Sequence, residues 1–303
     1  MDFTQFCGWH NNPTAVKAIK AMQPHAVFSA ASDSIGTTGS GLGKRALLYE
    51  FMYKALNGKQ NVKTRFQKIG DCVSQGAALA VDILRAWGVV VEGREWVAET
   101  ATEPIYALSR VEIGKGALGS GDGSVGAWAA EAVRQYGTLV RIPYGSFDLS
   151  EYNPARASQW GMPRAGLPDV LEPYAREHLV RSVTQVRTWT EFCDAIHSGY
   201  PVTIASNQGF TETRDSQGFA KPSGTWAHQM CATAYDDLSA RKGGLIQNSW
   251  GAWNSGPIAY DQPEGSFWAD KAVIERMLAA EDSWAFSDYE GFPAKKMNLG
   301  DFI

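Results

Sequence analysis

The segment of residues 66–84 constrains the fold most. A turn of glycine and aspartate ends at Asp71 and leads directly into an apolar segment that begins at Cys72. Aspartate often caps helices, because its carboxylate accepts hydrogen bonds from the free N–H groups of the first turn. The residues after Cys72 are apolar on nearly every side of a helix, which predicts a helix in the centre of a domain. Gly88 is predicted to end this helix, and an extended segment is predicted from Val89.

Cys72 has two interpretations at this point. The free N–H groups and the dipole at a helix start favour a thiolate. The carboxylate of Asp71 raises the pKa of a neighbouring thiol, so full activation needs a cationic partner. A free cysteine is also often a small buried hydrophobe, and this segment alone leaves both interpretations open.

Composition excludes several classes of protein. The 303 residues are enough for one large core or for two lobes that share an interface. A net charge of -4 gives no reason to expect a nucleic acid partner. No apolar run is predicted to span a membrane. The start of the sequence lacks the positive and apolar regions of a signal peptide, so we expect a location in the cytoplasm or in a particle assembled there.

The four cysteines have no paired spacing, which indicates a reducing compartment without a disulfide framework; they are Cys7, Cys72, Cys193 and Cys231. Cys7 and His10 have the spacing of metal ligands, but no second pair lies nearby in the sequence. We therefore predict no metal site and no cofactor.

Residues 1–60 are predicted to form an N-terminal extension with one amphipathic helix, from Lys44 to Leu56, and residues 61–303 to form the main domain. The extension is too small for a core of its own. We expect it to pack on the body of the protein, or on a partner assembly, and not to be removed for activation.

Two helices are predicted between the main helix and the C-terminal third. Apolar residues recur at helical spacing from Val125 to Tyr136. Thr188, with Glu191 three residues later, forms a capping box that opens another helix. Residues 201–205 then read as a strand.

The C-terminal third contains two apolar segments, residues 227–235 and 244–250, that are predicted to pair as an antiparallel hairpin. A hairpin centred near residue 239 places His228 roughly opposite Asn248. Trp250 lies on the same face as Asn248, because side chains alternate along a strand. A histidine and an asparagine in contact beside a tryptophan, downstream of a cysteine at a helix start, are a rare combination.

Four blocks of the sequence, in the correct order, resemble the papain-like cysteine peptidases. They are residues 67–76 around the cysteine, residues 121–128 with the following helix, residues 227–228 at the start of the histidine strand, and residues 246–251. The last block, Ile-Gln-Asn-Ser-Trp-Gly, is the most specific match.

The resemblance implies an α+β fold of two lobes with a cleft between them. The helical lobe would comprise residues 61–145, and the lobe built on a twisted antiparallel sheet or barrel would comprise residues 180–290. It also implies an endopeptidase that hydrolyses peptide bonds of a peptide or protein substrate through a thioester acyl-enzyme. No nucleic acid, membrane or cofactor would be needed.

The resemblance assigns roles to individual residues. Cys72 would be the nucleophile, His228 its cationic partner and proton donor, and Asn248 the residue that orients His228. Trp250 would shield the hydrogen bond between His228 and Asn248 from water. The remaining assignments are the oxyanion donor Gln67 and the substrate-binding residues Gly123 and Ser124.

Some residues depart from the family pattern. Gln67 lies five residues before Cys72, where the family has six. Val73 replaces the family's aromatic residue after the cysteine, and Gln229 follows the histidine. Two alternatives therefore stay open. One is a papain-like fold kept as a structural or binding component of a larger assembly, for example a virion. The other is a different Cys-His enzyme, such as an amidase or a transglutaminase-type acyl transferase.

Overall fold

A computed structural model describes residues 2–178, 180–295 and 297. The α-helices in these ranges are α1 (Pro13–Met22), α2 (Phe28–Ser34), α3 (Tyr49–Ala55), α4 (Cys72–Glu92), α5 (Thr102–Leu108), α6 (Gly126–Gln135), α7 (Pro154–Trp160), α8 (Glu172–Arg176), α9 (Trp189–His197) and α10 (Lys271–Leu278). The strands are β1 (Arg45–Leu47), β2 (Pro143–Tyr144), β3 (Phe147–Asp148), β4 (Ser182–Gln185), β5 (Val202–Arg214), β6 (Ala220–Asp236), β7 (Gly243–Gln247), β8 (Ser266–Asp270) and β9 (Trp284–Ser287).

The main sheet is antiparallel, with the strand order β4-β9-β5-β6-β7-β8. The short strand β1 pairs with the end of β6, where Leu47 lies opposite Ala234. The described chain thus combines helices with an antiparallel sheet, as the α+β prediction requires.

Helix α4 lies in the core against β6, because its residues near the N-terminus are small. Ala77, Ala78 and Ala80 are fully buried. A Cβ atom at Gly76 would lie 3.3 Å from the Met230 carbonyl oxygen of β6, so the two elements approach closely. The predicted end at Gly88 is wrong: the helix continues to Glu92 and ends at Gly93, which has a φ of 71°. The left-handed conformation at the end of a helix is most often adopted by glycine, so Gly93 is a favourable residue at this position.

The first 60 residues differ from the predicted single amphipathic helix. They hold α1, α2 and α3, and the predicted helix of residues 44–56 begins instead as strand β1. The backbone N–H of Leu48 donates to the carbonyl of Thr233 at 2.8 Å, and α3 packs against α4. The first residues of the predicted helix, 45–47, therefore pair with a free edge of β6 as a strand, although their apolar residues recur at helical spacing. These elements pack on the body of the protein, as expected.

The N-cap at Thr188 is confirmed, since the backbone N–H of Glu191 donates to Thr188 Oγ1 at 3.2 Å at the start of α9. The reciprocal bond of a capping box differs from the prediction, because the Glu191 carboxylate accepts the backbone N–H of Arg187 at 2.6 Å. Helix α6 also has nearly the predicted bounds. After α5 the chain continues for one π-helical turn, Ser109–Ile113.

One helix in the described chain is long and apolar enough to cross a membrane by length and composition alone, contrary to the sequence prediction. It is α4, and 78% of its apolar window is buried inside the protein. The interior of the fold accounts for its apolar composition, since a core helix is hydrophobic on all sides.

Candidate active site

Cys72 is the first residue of α4 and is fully buried. Asp71 occupies the N-cap position, but its carboxylate makes no capping hydrogen bond, which corrects the sequence prediction. The carboxylate is itself fully buried and accepts a hydrogen bond from Gln75 Nε2 at 3.0 Å. The free N–H groups at the helix start are therefore not used by a side-chain cap.

His228 and Asn248 form the predicted contact. His228 Nε2 and Asn248 Oδ1 are 2.8 Å apart. Asn248 Oδ1 also accepts the backbone N–H of Ser249 at 2.7 Å, so it is the oxygen of the amide. His228 Nε2 must then be the donor, and a neutral ring keeps its free electron pair on Nδ1. Nδ1 has no hydrogen-bond partner among the described residues.

Trp250 covers the His228 ring as predicted. The centroids of the two rings are 4.6 Å apart, with an angle of 33° between their planes. Trp226 and Trp253 contact Trp250 edge-on and enclose its other sides. The hydrogen bond between His228 and Asn248 is therefore formed in an apolar environment, where such a bond is stronger than in water.

Gln229 joins the histidine strand to the start of α4. Its side-chain Nε2 donates to the carbonyl of Val73 at 3.0 Å, and its backbone N–H points to the sulfur of Cys72. This connection places the residue that follows His228 directly over the nucleophile position. The structure thus brings His228, Asn248 and Trp250 together and links Cys72 to them through Gln229, but the Cys72 thiol makes no hydrogen bond with Nδ1 of His228 in the part of the chain that the structure describes.

Both reactive groups favour their neutral forms in this arrangement. Burial raises the pKa of the Cys72 thiol to about 12, although hydrogen bonds from the backbone N–H groups of Gln229 and Gly8 oppose the shift. Burial lowers the pKa of His228 to about 4, although Asn248 stabilises its charged form. The ion pair that the resemblance implies is therefore disfavoured here, because both groups are fully buried.

Gln67 lies where the chain enters the cluster. Its Nε2 donates to the carbonyls of Phe6 at 2.6 Å and Ile69 at 2.9 Å. Its Oε1 accepts the hydroxyl hydrogen of Ser249, which fixes the orientation of the amide. The Nε2 group of Gln67 is thus held in a fixed position, and the carbonyl oxygen of Phe6 already accepts a hydrogen bond from it.

Residues 3–10, which we call the cleft segment, lie across this cluster. The backbone N–H of Trp9 donates to the carbonyl of Ala227, next to His228, at 2.9 Å. Ser124 donates its N–H to the carbonyl of Gly8 and accepts the N–H of His10, both at 2.8 Å. The backbone of Ser124, a predicted substrate-binding residue, is therefore already paired with an extended segment of the same chain.

Side chains of the cleft segment complete its packing. The ring of Phe3 stacks on Trp250 at a centroid distance of 5.3 Å. Trp9 Nε1 donates to the buried carboxylate of Asp282 at 2.8 Å. Gly123, the other predicted substrate-binding residue, has a φ of 103°, and a Cβ there would lie 2.4 Å from the His10 ring. The segment thus fits closely between the two lobes.

The sequence interpretation missed the cleft segment. The available signal was three large aromatic residues at a spacing of three, Phe3, Phe6 and Trp9, in an otherwise polar stretch. Cys7 and His10, whose spacing in the sequence is that of metal ligands, lie in this same segment. The structure places the His10 ring against the carbonyl of Asp122, at 2.9 Å. In the described residues, no group of three or more His, Cys, Asp or Glu side chains could hold a metal ion.

Comparisons with solved structures bear on the fold. The structure is similar to xylellain, a cysteine protease from Xylella fastidiosa, with a TM-score of 0.58 and 15% identity; the match covers 94% of this chain and 96% of that chain. Two weaker similarities are to the Amb a 11 cysteine protease of ragweed pollen in its proform and to procathepsin B from Trypanosoma congolense. For Amb a 11 the TM-score is 0.48 and the identity 14%, and the match covers 80% of this chain and 64% of that chain. For procathepsin B the TM-score is 0.47 and the identity 10%, and the match covers 83% of this chain and 77% of that chain.

No protein-family model matches the sequence, and a search of curated proteins found no match. At 15% identity, the likeness to xylellain concerns the fold, and it extends over nearly the whole of both chains. The antiparallel sheet, the central helix α4 and this similarity agree with the prediction from the four sequence blocks. The chain has the papain-like fold.

Proposed function

We propose that this protein is a papain-like cysteine peptidase that hydrolyses peptide bonds through Cys72, His228 and Asn248. The observation that carries the proposal is the 2.8 Å hydrogen bond from His228 Nε2 to Asn248 Oδ1 under Trp250. This bond leaves Nδ1 of His228 without a hydrogen-bond partner among the described residues, and we propose that Nδ1 accepts the Cys72 proton. A histidine held in this tautomer can take the proton of a cysteine and later return it to a leaving group.

The reaction would proceed in two stages. His228 accepts the thiol proton, and the Cys72 sulfur attacks the substrate carbonyl carbon to form a tetrahedral intermediate. His228 then gives the proton to the departing amine as the C–N bond breaks, which leaves a thioester. A water molecule, deprotonated by His228, attacks the thioester, and the thiol leaves with the returned proton, releasing the carboxylic acid product. The amide of Gln67 and the backbone N–H of Cys72 would stabilise the oxyanion in both stages.

The substrate would be an extended peptide. The backbone N–H and carbonyl of Ser124 bind the cleft segment in this way, and a substrate strand would use the same two groups. The cleft segment must therefore leave before a substrate can enter. In the described ranges, the residues that bond to Gln67, Ser124 and Ala227 in the cleft lie before α1, whereas β1 and α3 belong to the packed body of the protein. Activation thus requires displacement of the first residues and not the loss of the whole extension.

The test compares the full chain with a variant that lacks residues 2–11. Hydrolysis of a fluorogenic peptide library is measured for both, with Cys72→Ala versions as controls. We expect turnover in the shortened chain, less in the full chain and none with Cys72→Ala. A folded shortened chain without turnover on any peptide would contradict the peptidase proposal.

The second candidate is a structural or binding component of a larger assembly. The observation in its favour is the complete burial of both Cys72 and His228. A folded shortened chain that stays inactive, while the full chain co-purifies with an assembly, would favour this candidate. Turnover that depends on Cys72 would exclude it as the sole function.

A further inference from the structure

Two of the four cysteines meet at the start of α4. Cys72 is the first residue of this helix, and Cys7 lies in the cleft segment. The backbone N–H of Gly8, the residue after Cys7, donates to the Cys72 sulfur. The Cα atom of Cys7 is two covalent bonds from that nitrogen, about 2.5 Å away. The main chain of one cysteine therefore lies beside the sulfur of the other.

Strand β6 contacts both sulfur atoms. The backbone N–H of Ala227 donates to the Cys7 sulfur, and the backbone N–H of Gln229 donates to the Cys72 sulfur. In a strand, N–H groups two residues apart point to the same side and are separated by about 6.8 Å. Both thiols thus lie along one edge of β6, on either side of His228.

Hydrogen bonds before and after Cys7 hold it at this place. The carbonyl of Phe6 accepts a hydrogen bond from Gln67 Nε2 at 2.6 Å. The backbone N–H of Trp9 donates to the carbonyl of Ala227 at 2.9 Å. Two groups that a fold holds together react as if their local concentration were high, because little freedom is lost when they join. The fold therefore favours a bond between Cys7 and Cys72 over other pairings.

The other two cysteines are placed differently. Cys193 lies in α9 and Cys231 in β6, and both are fully buried in the hydrophobic core. Cys7 is only partly buried, so a small reagent in solution can reach it. Burial raises the pKa of the Cys7 thiol to about 11, so the thiolate that reacts is scarce near neutral pH and the reaction is slow.

We propose that Cys7 and Cys72 form an oxidative modification site, where a low-molecular-weight disulfide such as oxidised glutathione joins them in a disulfide bond. The Cys7 thiolate attacks one sulfur of oxidised glutathione, an S–S bond forms, and one glutathione thiolate leaves. The Cys72 thiolate then attacks the Cys7 sulfur, and the second glutathione thiolate leaves. The two departing thiolates take up the protons of the two cysteines. Two protein thiols are oxidised, and one glutathione disulfide is reduced to two thiols.

This bond would tie the cleft segment to α4. It consumes the sulfur that the proposed mechanism needs, and it prevents the displacement of the first residues. This consequence rests on the proposed peptidase function: oxidation keeps the enzyme closed, and a reducing environment must open the bond before the cleft segment can leave. The bond itself is measured without any assay of catalysis.

The experiment equilibrates the full chain at pH 8 in buffers with different ratios of reduced to oxidised glutathione. Free thiols are then alkylated, and the peptides are mapped by mass spectrometry without reduction. We expect a linked pair of peptides that contain Cys7 and Cys72, with Cys193 and Cys231 alkylated. Excess reduced glutathione should open the link again.

The same titration in guanidinium measures how much the fold contributes. The ratio of reduced to oxidised glutathione that opens half of the links should be higher by about tenfold or more in the folded chain, because the fold holds the two cysteines together. Equal ratios for the folded and the unfolded chain would overturn the inference.

Cys7→Ala and Cys193→Ala are the matched variants, and circular dichroism checks that both are folded. Cys193→Ala should form the link to the same extent as the unaltered chain, whereas Cys7→Ala should leave Cys72 unlinked. Three results would overturn the inference: no linked peptide at any ratio, a link from Cys72 to Cys193 or Cys231, or a glutathione adduct on Cys7 that Cys72 does not displace. Formation of the link in a protein without peptidase activity would support the modification site and contradict only the proposed function.

Discussion

The side-chain amide of Gln67 donates a hydrogen bond to the backbone carbonyl of Phe6 at 2.6 Å. In the proposed mechanism this donor would stabilise the oxyanion that forms from the substrate carbonyl. The carbonyl oxygen of Phe6 therefore lies where the carbonyl oxygen of a substrate would bind. Burial accounts for the neutral states of both Cys72 and His228, and the cleft segment reaches the first of them directly, since the backbone N–H of Gly8 donates to the Cys72 sulfur.

The first prediction concerns Gly8. A Cβ atom at this position would lie 1.9 Å from the carbonyl oxygen of Gly70, a backbone atom that cannot move aside cheaply. Gly8→Val should therefore displace the cleft segment and raise the alkylation rate of Cys72 by about tenfold or more, as a buried thiol becomes accessible. Peptide mapping by mass spectrometry measures the rate.

The matched control for this prediction is Gly121→Ala, because a Cβ there has open space around it. It should alkylate at the rate of the unaltered protein. Equal rates for the Gly8 variant and the control, with both folded, would mean that the segment does not restrict access to Cys72.

The second prediction concerns the residues around His228. Asn248→Ala removes the acceptor that fixes the histidine tautomer, so turnover of the shortened chain should fall while the fold is kept. Trp250→Ala should also lower turnover, and it should cost about 3–5 kcal/mol of unfolding free energy because a large buried ring is lost. Peptidase assays and denaturant unfolding separate the two effects. Full activity of Asn248→Ala would exclude an orienting role for this residue.

The third prediction concerns the buried carboxyl group of Asp71. Burial raises its pKa to about 7, and hydrogen bonds from Gln75 and Tyr152 only partly oppose this. In the unfolded chain its pKa is about 3.9. Between these values the folded protein holds a proton that the unfolded chain has lost, so Asp71 lowers stability as the pH rises from about 4 to about 7.

The side chain of Asp71→Asn cannot ionise. The unfolding free energy of this variant, relative to that of the unaltered protein, should therefore increase as the pH rises through the same window. The increase should be at most about 1.4 kcal/mol per pH unit, and the difference should level off above the folded pKa. Unfolding midpoints measured across the window test this, with the exposed Asp169→Asn as the surface control. A difference that does not vary with pH would show that Asp71 is ionised throughout.

The sequence predicted the parts of the site that depend on short-range pattern. His228 and Asn248 could be paired because β6 and β7 form the predicted hairpin, although β7 ends at Gln247 and Asn248 is the residue that follows it. The long-range contacts could not be predicted in this way. Asp71 was expected to cap α4 by residue type, but its carboxylate is turned toward Gln75. Leu47 was expected in a helix, but it pairs as a strand with the C-terminal end of β6. Phe6 contacts Gln67 across 61 residues, a distance at which no periodicity carries information.

The central claim is that Cys72 is a nucleophile activated by His228 and masked by the cleft segment. The most direct test is labelling with an epoxide-type thiol-protease inhibitor near pH 5, followed by mass spectrometry. An unassisted thiol has a pKa of about 8.5 and is almost unreactive there.

We predict that the variant lacking residues 2–11 is labelled at Cys72 and not at Cys193 or Cys231. The full chain should be labelled far more slowly, and His228→Ala in the shortened chain should abolish the label. A folded shortened chain in which Cys72 stays unlabelled, or is labelled equally well without His228, would contradict the account.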